Sequence, residues 1–316
     1  MNVRVDPPAE PQFTRRSFCR ALGAAGTLAA ATPAWARDAE SDMHQRPIGS
    51  TSEPLPVIGL GTSNVFDVGS GPAERAPLAQ VLEILLAAGG SVLDTSPMYG
   101  RSEEVAGDLI AKLQERPRMF LATKVWTRGR EAGLQQIETS MRLLKSPKLD
   151  LIQVHNLLDL DTHLATLRQL KEQQRVRYLG VTHYTVASHA DLESVIRREP
   201  LDFVQFNYSI VTRDAEERLL PLAAERRVAT LINRPFEDGA LFARVRGKPL
   251  PPWAAEIDCT SWAQFFLKFI VSHPAVTCVI PATAKPDHVR DNVRGGQGKM
   301  PDHKMRERMA QHVASL

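Results

Sequence analysis

The 316-residue sequence predicts an α/β fold of the (β/α)8 TIM-barrel class. Short apolar runs rich in β-branched residues recur along the chain, as expected for buried parallel strands. Between them lie longer segments with apolar residues at three- and four-residue spacing, which is typical of amphipathic helices. The eight predicted strands are Val57–Ser63, Ser91–Ser96, Met119–Val125, Leu149–Asn156, Val176–His183, Asp202–Ser209, Val228–Pro235 and Val276–Thr283.

The length of the chain agrees with one barrel domain. Residues 37–316 are close to the ~250 residues typical of this fold, and no repeat beyond the β/α unit is present. The segment Phe236–Thr260 contains three prolines and is too long for a simple connection between a strand and a helix. We therefore expect it to form a loop over the mouth of the barrel.

The N-terminal residues 1–36 have the pattern of a twin-arginine signal peptide. Arg15 and Arg16 are followed by Phe18, then by a mildly apolar stretch that ends in an A-x-A sequence at Ala36. This stretch is broken by Pro33 and is too short for a membrane span, which needs ~20 apolar residues. We expect cleavage after Ala36, export through the twin-arginine machinery and a periplasmic location. The alternative interpretation is a disordered, arginine-rich tail.

Charge and cysteine content exclude several other classes. Removal of the signal peptide takes away four arginines and two acidic residues, so the formal net charge falls from +3 to +1, which gives no argument for nucleic-acid binding. Cys259 and Cys278 remain, in different settings and without nearby histidines. A disulfide between them is the weaker interpretation, and they make a poor zinc site, so no metal is expected.

Four polar residues occupy the ends of consecutive predicted strands or the loops that follow them. Asp94 and Lys124 end two adjacent strands that are otherwise apolar, Tyr99 follows Asp94 by five residues, and His155 ends the next strand. Barrel enzymes carry their catalytic groups at these strand ends. A buried lysine needs an anionic partner, so Asp94 and Lys124 could also be a simple structural ion pair.

Tyr99 and His155 favour catalysis over that structural interpretation. A tyrosine hydroxyl, with a reference pKa of ~10, is a poor proton source at neutral pH unless a cation stabilises the phenolate. Lys124 can be that cation, Asp94 can orient it, and His155 can hydrogen-bond a carbonyl oxygen. Such a set suits carbonyl reduction by hydride transfer with proton delivery.

Several separated motifs resemble those of the aldo-keto reductase family over nearly the whole predicted mature chain. The segment Arg46–Pro56 also resembles the short hairpin that closes the bottom of such barrels. The motifs, in the order of the family, are GLGTS from Gly59, DTSPMYGRSEE from Asp94, ATKVW from Ala122, DLIQVHN from Asp150, QFNYS from Gln205 and IPATAKPDHVRDN from Ile280.

The resemblance implies a role for each matching residue. Tyr99 would be the general acid, Lys124 and Asp94 its tuning pair, and His155 the residue that orients the substrate carbonyl. The nicotinamide carboxamide would contact Gln205, Thr182 and His183, where Thr-His replaces the usual Ser-Asn. The remaining residues implied for this end of the cofactor are Tyr208, stacked on the nicotinamide ring, and Gly61 and Thr62.

The loop after the eighth predicted strand is suited to phosphate. It links that strand to the start of a helix, and it offers backbone N–H groups, a hydroxyl and a cation. The resemblance places His288 where the family often has an arginine for the 2′-phosphate, and histidine cannot form the same bidentate fork. NADP(H) is favoured and NAD(H) remains possible. The predicted contacts are Pro281, Thr283, Lys285, His288 and Asn292.

Met98, Trp126 and Asn156 are the predicted substrate contacts, and they indicate an apolar aldehyde or ketone. The chain ends soon after Asp302, without a long tail to cover the pocket, and we expect a monomer, as is common in the family. Two other functions stay open. One is a nucleotide-bound sensor or regulatory binding protein with little turnover. The other is an unrelated barrel such as a metal-dependent hydrolase, which Lys124 disfavours because its charge would repel a metal.

Overall fold

The structure, a computed structural model, describes residues 43–113 and 119–316. The predicted signal peptide and its cleavage site after Ala36 lie outside these residues. The described part contains eight parallel strands, each hydrogen-bonded to the next in chain order, and a separate antiparallel hairpin. The hairpin strands are β1 (Gln45–Pro47) and β2 (Pro54–Pro56), and the barrel strands are β3 (Leu60–Gly61), β4 (Val92–Asp94), β5 (Phe120–Val125), β6 (Leu149–His155), β7 (Val176–Thr182), β8 (Phe203–Asn207), β9 (Ala229–Asn233) and β10 (Cys278–Val279).

The barrel closes where β3 meets β10. Parallel bridges pair Ile58 with Val279 and Gly61 with Ala282, and the Gly59 N–H donates to the Val279 carbonyl at 2.8 Å. A Cβ on Gly59 would lie 2.8 Å from the Val92 side chain, so only glycine allows this close approach. The predicted barrel is therefore confirmed, although the first and last strands are shorter than the sequence predicted because they pair only at isolated points.

Ten α-helices are present in the described residues, and the main ones follow the barrel strands. Most of the apolar core lies between the strands and these helices. None of the helices in the described ranges is both long and apolar enough to cross a bilayer. The helices are α1 (Pro72–Ala87), α2 (Ser102–Ile110), α3 (Arg130–Leu143), α4 (Leu160–Glu172), α5 (His189–Arg198), α6 (Leu219–Arg226), α7 (Ala240–Arg244), α8 (Trp262–Val271), α9 (Pro286–Arg294) and α10 (His303–Ala314).

A second apolar cluster fills the lower interior of the barrel. Phe120, Tyr178 and Phe203 contact one another there, with ring centroids 5.6–6.1 Å apart. Ile48 and Leu55 of the hairpin segment are fully buried in the same cluster. The hairpin implied by Arg46–Pro56 is thus confirmed, and it closes the amino-terminal end of the barrel.

The alternation of the strands decides which side chains line the mouth. Side chains two residues apart on a strand point to the same face. A residue two positions after an interior apolar residue therefore also points into the barrel. It lies closer to the carboxyl end of the strand. The pairs are Val92 and Asp94, Ala122 and Lys124, Leu151 and Gln153, Phe203 and Gln205, and Leu231 and Asn233.

The segment Phe236–Thr260 is only in part a loop over the mouth. Its first part, including Phe236 and Phe242, lines the cavity at the carboxyl ends of the strands. Its later part packs on the helices instead, since the Trp253 ring contacts Phe265 of α8 and His312 of α10. The expectation that the whole segment covers the mouth is therefore wrong for its second half.

Candidate active site

A buried ion pair forms the base of the mouth. Lys124 Nζ lies 2.6 Å from Asp94 Oδ2 and donates to the Thr95 carbonyl at 2.7 Å. Lys124 is fully buried and Asp94 is 3% exposed. The ammonium therefore has fixed partners in a site of low dielectric, where its charge acts strongly on neighbouring groups.

Two glutamines hold the other oxygen of Asp94. Gln205 Nε2 donates to Oδ1 at 2.9 Å and Gln153 Nε2 donates to it at 3.3 Å. The strand register brings these groups together, because Lys124 pairs with Gln153 across β5 and β6. The sequence analysis assigned no role to Gln153, although its position two residues after Leu151 marks it as an interior residue of the barrel.

Tyr99 lies directly over the ion pair. Lys124 Nζ is 5.0 Å from the centroid of the Tyr99 ring. Burial alone would lower the pKa of Lys124, but its interactions with the Asp94 carboxylate and with Tyr99 outweigh burial and raise the pKa above its usual value. Lys124 therefore stays protonated at neutral pH beside the tyrosine.

His155 forms the next side of the site and is neutral. Burial, the nearby charge of Lys124 and His183 together lower the pKa of His155 to about 3. Its ring lies 6.2 Å from the Tyr99 ring and 6.4 Å from the Trp126 ring, between centroids. An uncharged imidazole can donate one hydrogen bond into the mouth without adding a second positive charge beside Lys124.

Ser96 is the hydrogen-bond partner of His155 Nδ1. Ser96 Oγ lies 3.3 Å from His155 Nδ1 and accepts a hydrogen bond from the Met98 N–H. Nδ1 is the acceptor that the described contacts offer to the Ser96 hydroxyl, so we assign the imidazole proton to Nε2. A donor at Nε2 is the form needed to hold a carbonyl oxygen.

The opposite wall of the mouth comes from β7 to β9. Thr182 Oγ1 donates to Gln205 Oε1 at 3.0 Å, and Asn233 Nδ2 lies 3.4 Å from the same oxygen. Above them, Arg234 pairs with Asp238 at 2.7 Å and donates to the carbonyl of Tyr184 at 3.3 Å. Asn233, Arg234 and Tyr184 were not among the predicted site residues.

The structure does not bring Tyr208 to this wall. Its side chain is fully buried outside the barrel, against the Phe269 and His273 rings. Its hydroxyl donates to Glu216 and accepts from Arg306 Nη2 at 2.8 Å. The expected stacking of Tyr208 on a nicotinamide is therefore wrong: Gln205 points into the barrel, and a residue three positions later points toward the helices.

The His183 side chain is also turned away from the mouth. Its Nδ1 accepts from the N–H of Tyr184 at 3.0 Å, and its Nε2 lies 3.1 Å from Ser188 Oγ. The backbone carbonyl of His183 accepts from Asn233 Nδ2 at 3.2 Å. Of the predicted pair, Thr182 therefore lines the mouth and the His183 side chain does not.

The loop after β10 lies at the rim. Thr283 is buried, and its Oγ1 accepts from the Lys285 N–H at 3.1 Å. Lys285 is the N-cap of α9, and both it and His288 are exposed, whereas Asn292 is buried in the same helix. The Lys285 N–H is therefore engaged within the predicted phosphate loop. The groups left to bind a phosphate are the exposed Lys285 side chain and the first turn of α9.

A cavity of about 660 Å³ fills the mouth between these walls, within the usual range for ligand sites. A second cavity, of about 430 Å³, lies among Gly49, Tyr178 and Arg227 at the hairpin end and contains none of the predicted residues. Trp126 is exposed beside His155. The predicted residues that line the larger cavity are Gly61, Thr62, Asp94, Met98, Tyr99, His155, Asn156, Thr182 and Gln205.

The cavity walls carry polar atoms that lack partners. Thr62 Oγ1, Asn156 Oδ1 and Asn233 Oδ1 are buried without a hydrogen-bond partner among the described residues. Buried polar atoms are costly unless they are hydrogen-bonded. The walls therefore fit an occupant that carries amide and hydroxyl groups, as a nicotinamide riboside does.

Comparison with known proteins assigns this site to a family. A model of the aldo/keto reductase family matches residues 57–310. The chain belongs to the aldo/keto reductase family. The match covers β3 to β10 and all the predicted catalytic positions, and the metal-dependent hydrolase interpretation is therefore set aside.

Curated relatives are similar at low identity. Aldo-keto reductase YhdN of Bacillus subtilis is 26% identical over 205 residues, which is 60% of this chain and 61% of that protein. Methylglyoxal reductase YeaE of Escherichia coli is 26% identical over 75% of this chain and 84% of its own length. The NADH-specific methylglyoxal reductase of E. coli is 24% identical over 79% of this chain and 93% of its own length.

Solved aldo-keto reductases share the fold. One from Klebsiella pneumoniae in complex with NADPH superposes with a TM-score of 0.71 at 23% identity, covering 86% of this chain and 95% of that chain. AKR11C1 from Bacillus halodurans in its holo form gives a TM-score of 0.68 at 22% identity, covering 86% and 96%.

Proposed function

We propose that this aldo-keto reductase uses NADP(H) to reduce an aldehyde or ketone to an alcohol, with Tyr99 as the proton donor. The observation that carries the proposal is the buried ammonium of Lys124, held by Asp94 and lying 5.0 Å from the Tyr99 ring centroid. A cation in this place stabilises the phenolate that remains after proton transfer. The same arrangement would have no use in a purely structural ion pair.

The residues of the chain divide the reaction between them. His155 orients the substrate carbonyl through its Nε2 proton, and Tyr99 donates a proton to the carbonyl oxygen as the alcohol forms. Lys124 stabilises the resulting phenolate, and Asp94 holds Lys124 in place. When bound, the reduced nicotinamide supplies the hydride that adds to the carbonyl carbon.

The cofactor has room along the β8–β10 side of the mouth. Gln205, Thr182 and Asn233 lie where a nicotinamide would meet the catalytic residues, and the ammonium of Lys285 at the rim offers positive charge for a 2′-phosphate, with the imidazole of His288 exposed in the first turn of α9. The NADPH complex of the Klebsiella neighbour supports NADP(H). The NADH-specific E. coli relative keeps NAD(H) open.

The substrate side of the mouth is apolar. Met98, Tyr184 and Phe242 line the cavity and are 40–48% exposed, and Asn156 supplies the amide among them. Trp126, 41% exposed, lies beside His155. This surface suits a carbonyl compound with an apolar or aromatic body. The methylglyoxal reductases among the relatives favour aldehydes as the first substrates to assay.

The decisive experiment compares wild type with Tyr99→Phe. We expect NADPH oxidation on an aldehyde panel to fall by about 10²–10⁴-fold in the variant, because the proton donor is lost. Nucleotide affinity, measured by fluorescence titration, should stay the same. Equal rates for the two proteins would exclude Tyr99 as the donor. Tight nucleotide binding without turnover in wild type would instead favour the sensor function.

Export through the twin-arginine pathway is a second part of the proposal, supported by the sequence Thr14–Phe18 and the A-x-A ending at Ala36. We expect the cell's periplasmic fraction to contain a chain that begins at Arg37. The double variant Arg15→Lys and Arg16→Lys should stay full-length in the cytoplasm. A full-length wild-type chain in the cytoplasmic fraction would contradict export.

Export implies that the cofactor travels with the folded protein, because the periplasm holds no general pool of reduced nicotinamide. We propose that the nucleotide stays bound and is recycled in place by oxidation of a second substrate. Protein purified from the periplasm should then release nucleotide on denaturation. Protein that purifies without nucleotide and binds it only weakly would contradict this idea.

A further inference from the structure

Asn233 is an unexpected member of the site, and it carries an unused acceptor. It is the last residue of β9, and its position two residues after Leu231 directs its side chain into the mouth. Asn233 lines the cavity, and its Oδ1 is buried without a hydrogen-bond partner among the described residues. The question is what donor this oxygen meets.

The hydrogen-bond network fixes which amide atom is free. Asp94 carries a carboxylate, which can only accept, so Gln205 turns its Nε2 toward Asp94 and its Oε1 away. That Oε1 accepts from Thr182 and faces Asn233 Nδ2. The carbonyl of His183 is a second acceptor for the same Nδ2, at 3.2 Å. Both neighbours are acceptors and need a donor, so Oδ1 is the amide atom left without a partner among the described residues.

Both polar atoms of the Gln205 amide already have partners. Its nitrogen donates to Asp94 at 2.9 Å, its oxygen accepts from Thr182 at 3.0 Å, and the residue is 2% exposed. Asn233, one strand further around the barrel, differs because its Oδ1 has no partner among the described residues.

The order of the strands around the barrel indicates which part of a ligand lies near Asn233. Tyr99, Lys124 and His155 come from β4, β5 and β6, so the reacting carbonyl lies on that side of the mouth. β9 faces them across the barrel and lies next to β10, which leads to the predicted phosphate loop. The cavity that joins this loop to the catalytic residues is lined by Asn233 on the β9 side.

We propose that Asn233 Oδ1 accepts a hydrogen bond from the carboxamide N–H of the nicotinamide and so fixes the ring against the catalytic side. This inference rests on the proposed function, since it needs a nicotinamide nucleotide in the mouth. Asn233 takes the place that the sequence resemblance gave to His183 and Tyr208. Through Gln205, the same contact connects the cofactor to the Asp94–Lys124 pair.

The test measures binding of two oxidised nucleotides by quenching of tryptophan fluorescence. One is NADP⁺, and the other is its 3-acetylpyridine analogue, in which a methyl ketone without N–H groups replaces the carboxamide. We expect wild type to bind NADP⁺ about tenfold more tightly than the analogue, because the analogue leaves Oδ1 unpaired. In Asn233→Leu this ratio should fall to about one, mainly through weaker binding of NADP⁺.

Two further variants sharpen the result. Asn207→Leu removes an amide at the end of the neighbouring strand β8 that contacts His189 Nε2 and does not line the cavity, and it should keep the wild-type ratio. Asn233→Ser makes a smaller change and should also lose the discrimination, which covers the case in which the leucine variant does not fold. An unchanged ratio in a folded Asn233 variant, or no discrimination in wild type, overturns the inference while leaving the proposed function intact. Failure of wild type to bind either nucleotide overturns both.

Discussion

The two walls of the mouth differ in how their ionisable side chains are held. On the β4–β6 wall, Asp94, Lys124 and His155 are at most 5% exposed, and each has a named partner within the chain. On the β9–β10 wall, the side chains of Lys285 and His288 are exposed, and Asn233 Oδ1 has no hydrogen-bond partner among the described residues. The ionisable groups of the first wall are therefore preorganised, while those of the second wall face solvent.

This difference follows from the physics of each task. A proton donor and its cation must be placed precisely, and burial strengthens their electrostatic interaction. A nucleotide brings its own donors and charges, so a binding wall needs matching groups rather than groups that already satisfy one another. Changes to the first wall should therefore affect stability and rate together, and changes to the second should affect binding.

The largest effect is expected from Asp94→Asn. The substitution leaves the ammonium of Lys124 buried without its counter-charge, which typically costs about 3–5 kcal/mol of unfolding free energy. Activity should fall by about 10²–10⁴-fold, since Lys124 loses the carboxylate that raises its pKa. Chemical denaturation and steady-state kinetics measure the two losses.

The matched control is Asp287→Asn, which removes a carboxylate from the exposed ion pair with Arg290. We expect almost no change in stability there, because exposed pairs contribute little. If Asp94→Asn were as mild as this control, the preorganised ion pair would not be what stabilises the catalytic wall.

The next effect concerns pH and His155. Its pKa in the folded chain is about 3, below the reference of 6.5. Between these values the unfolded chain binds a proton that the folded chain does not, so the unfolding free energy falls as the pH falls from 6.5 toward 3. We expect His155→Gln to reduce that loss by up to about 3 kcal/mol between pH 7 and pH 4.

Denaturation midpoints across this pH range provide the measurement. His303→Gln, which changes an exposed histidine of α10, should leave the slope as it is in wild type. A His155→Gln slope that matches wild type would mean that His155 takes up its proton at the ordinary pH, and that burial beside Lys124 does not keep it neutral.

A smaller effect is expected from Ser96→Ala. Without the hydroxyl at 3.3 Å, His155 Nδ1 can hold the proton, and the Nε2 donor becomes only partly populated. We expect kcat/KM to fall about tenfold with unchanged nucleotide affinity. Nitrogen-15 NMR of the imidazole should show one tautomer in wild type and a mixture in the variant.

Thr95→Val is the control for Ser96→Ala. Thr95 is the preceding residue, and its Oγ1 is buried without a hydrogen-bond partner among the described residues. Loss of this hydroxyl should alter neither the tautomer nor the rate. A single His155 tautomer that persists in Ser96→Ala would show that another group orients the ring.

The sequence predicted the positions of the β4–β6 side chains better than those of the β8 and β9 side chains for a physical reason. Asp94, Lys124 and His155 each interrupt an apolar strand, and neighbouring parallel strands must bring such residues together. The same alternation places Asn233 inside the barrel, two residues after Leu231, and it places Tyr208 outside, three residues after Gln205. The alternation alone therefore predicts Asn233 inside the barrel and Tyr208 outside it, whereas motif similarity predicts Tyr208 at the nicotinamide.

Other features depend on contacts that the sequence does not reveal. Arg306 of α10 donates a hydrogen bond to the hydroxyl of Tyr208, which lies 98 positions earlier in the chain. The second half of the predicted mouth loop is held by α8 and α10 through Trp253. These partners are distant in sequence and share no periodicity with the residues they hold, so only the folded structure identifies them.

The smallest effect on nucleotide binding is expected from the rim, and it most directly tests the β9–β10 wall. Lys285→Ala should weaken the binding of NADPH several-fold and leave the binding of NADH nearly unchanged. The effect is small because an exposed cation contributes modestly to affinity and is screened by salt. Lys304→Ala changes an exposed lysine of α10 and serves as the control.

His288→Arg should act in the opposite direction, because a guanidinium can bind a phosphate with two parallel hydrogen bonds and an imidazole cannot. Titration of each variant with both nucleotides at low and high salt measures the preference. If His288→Arg gained nothing for NADPH over NADH, the 2′-phosphate would lie elsewhere, and the first turn of α9 would not be the end of the nucleotide wall.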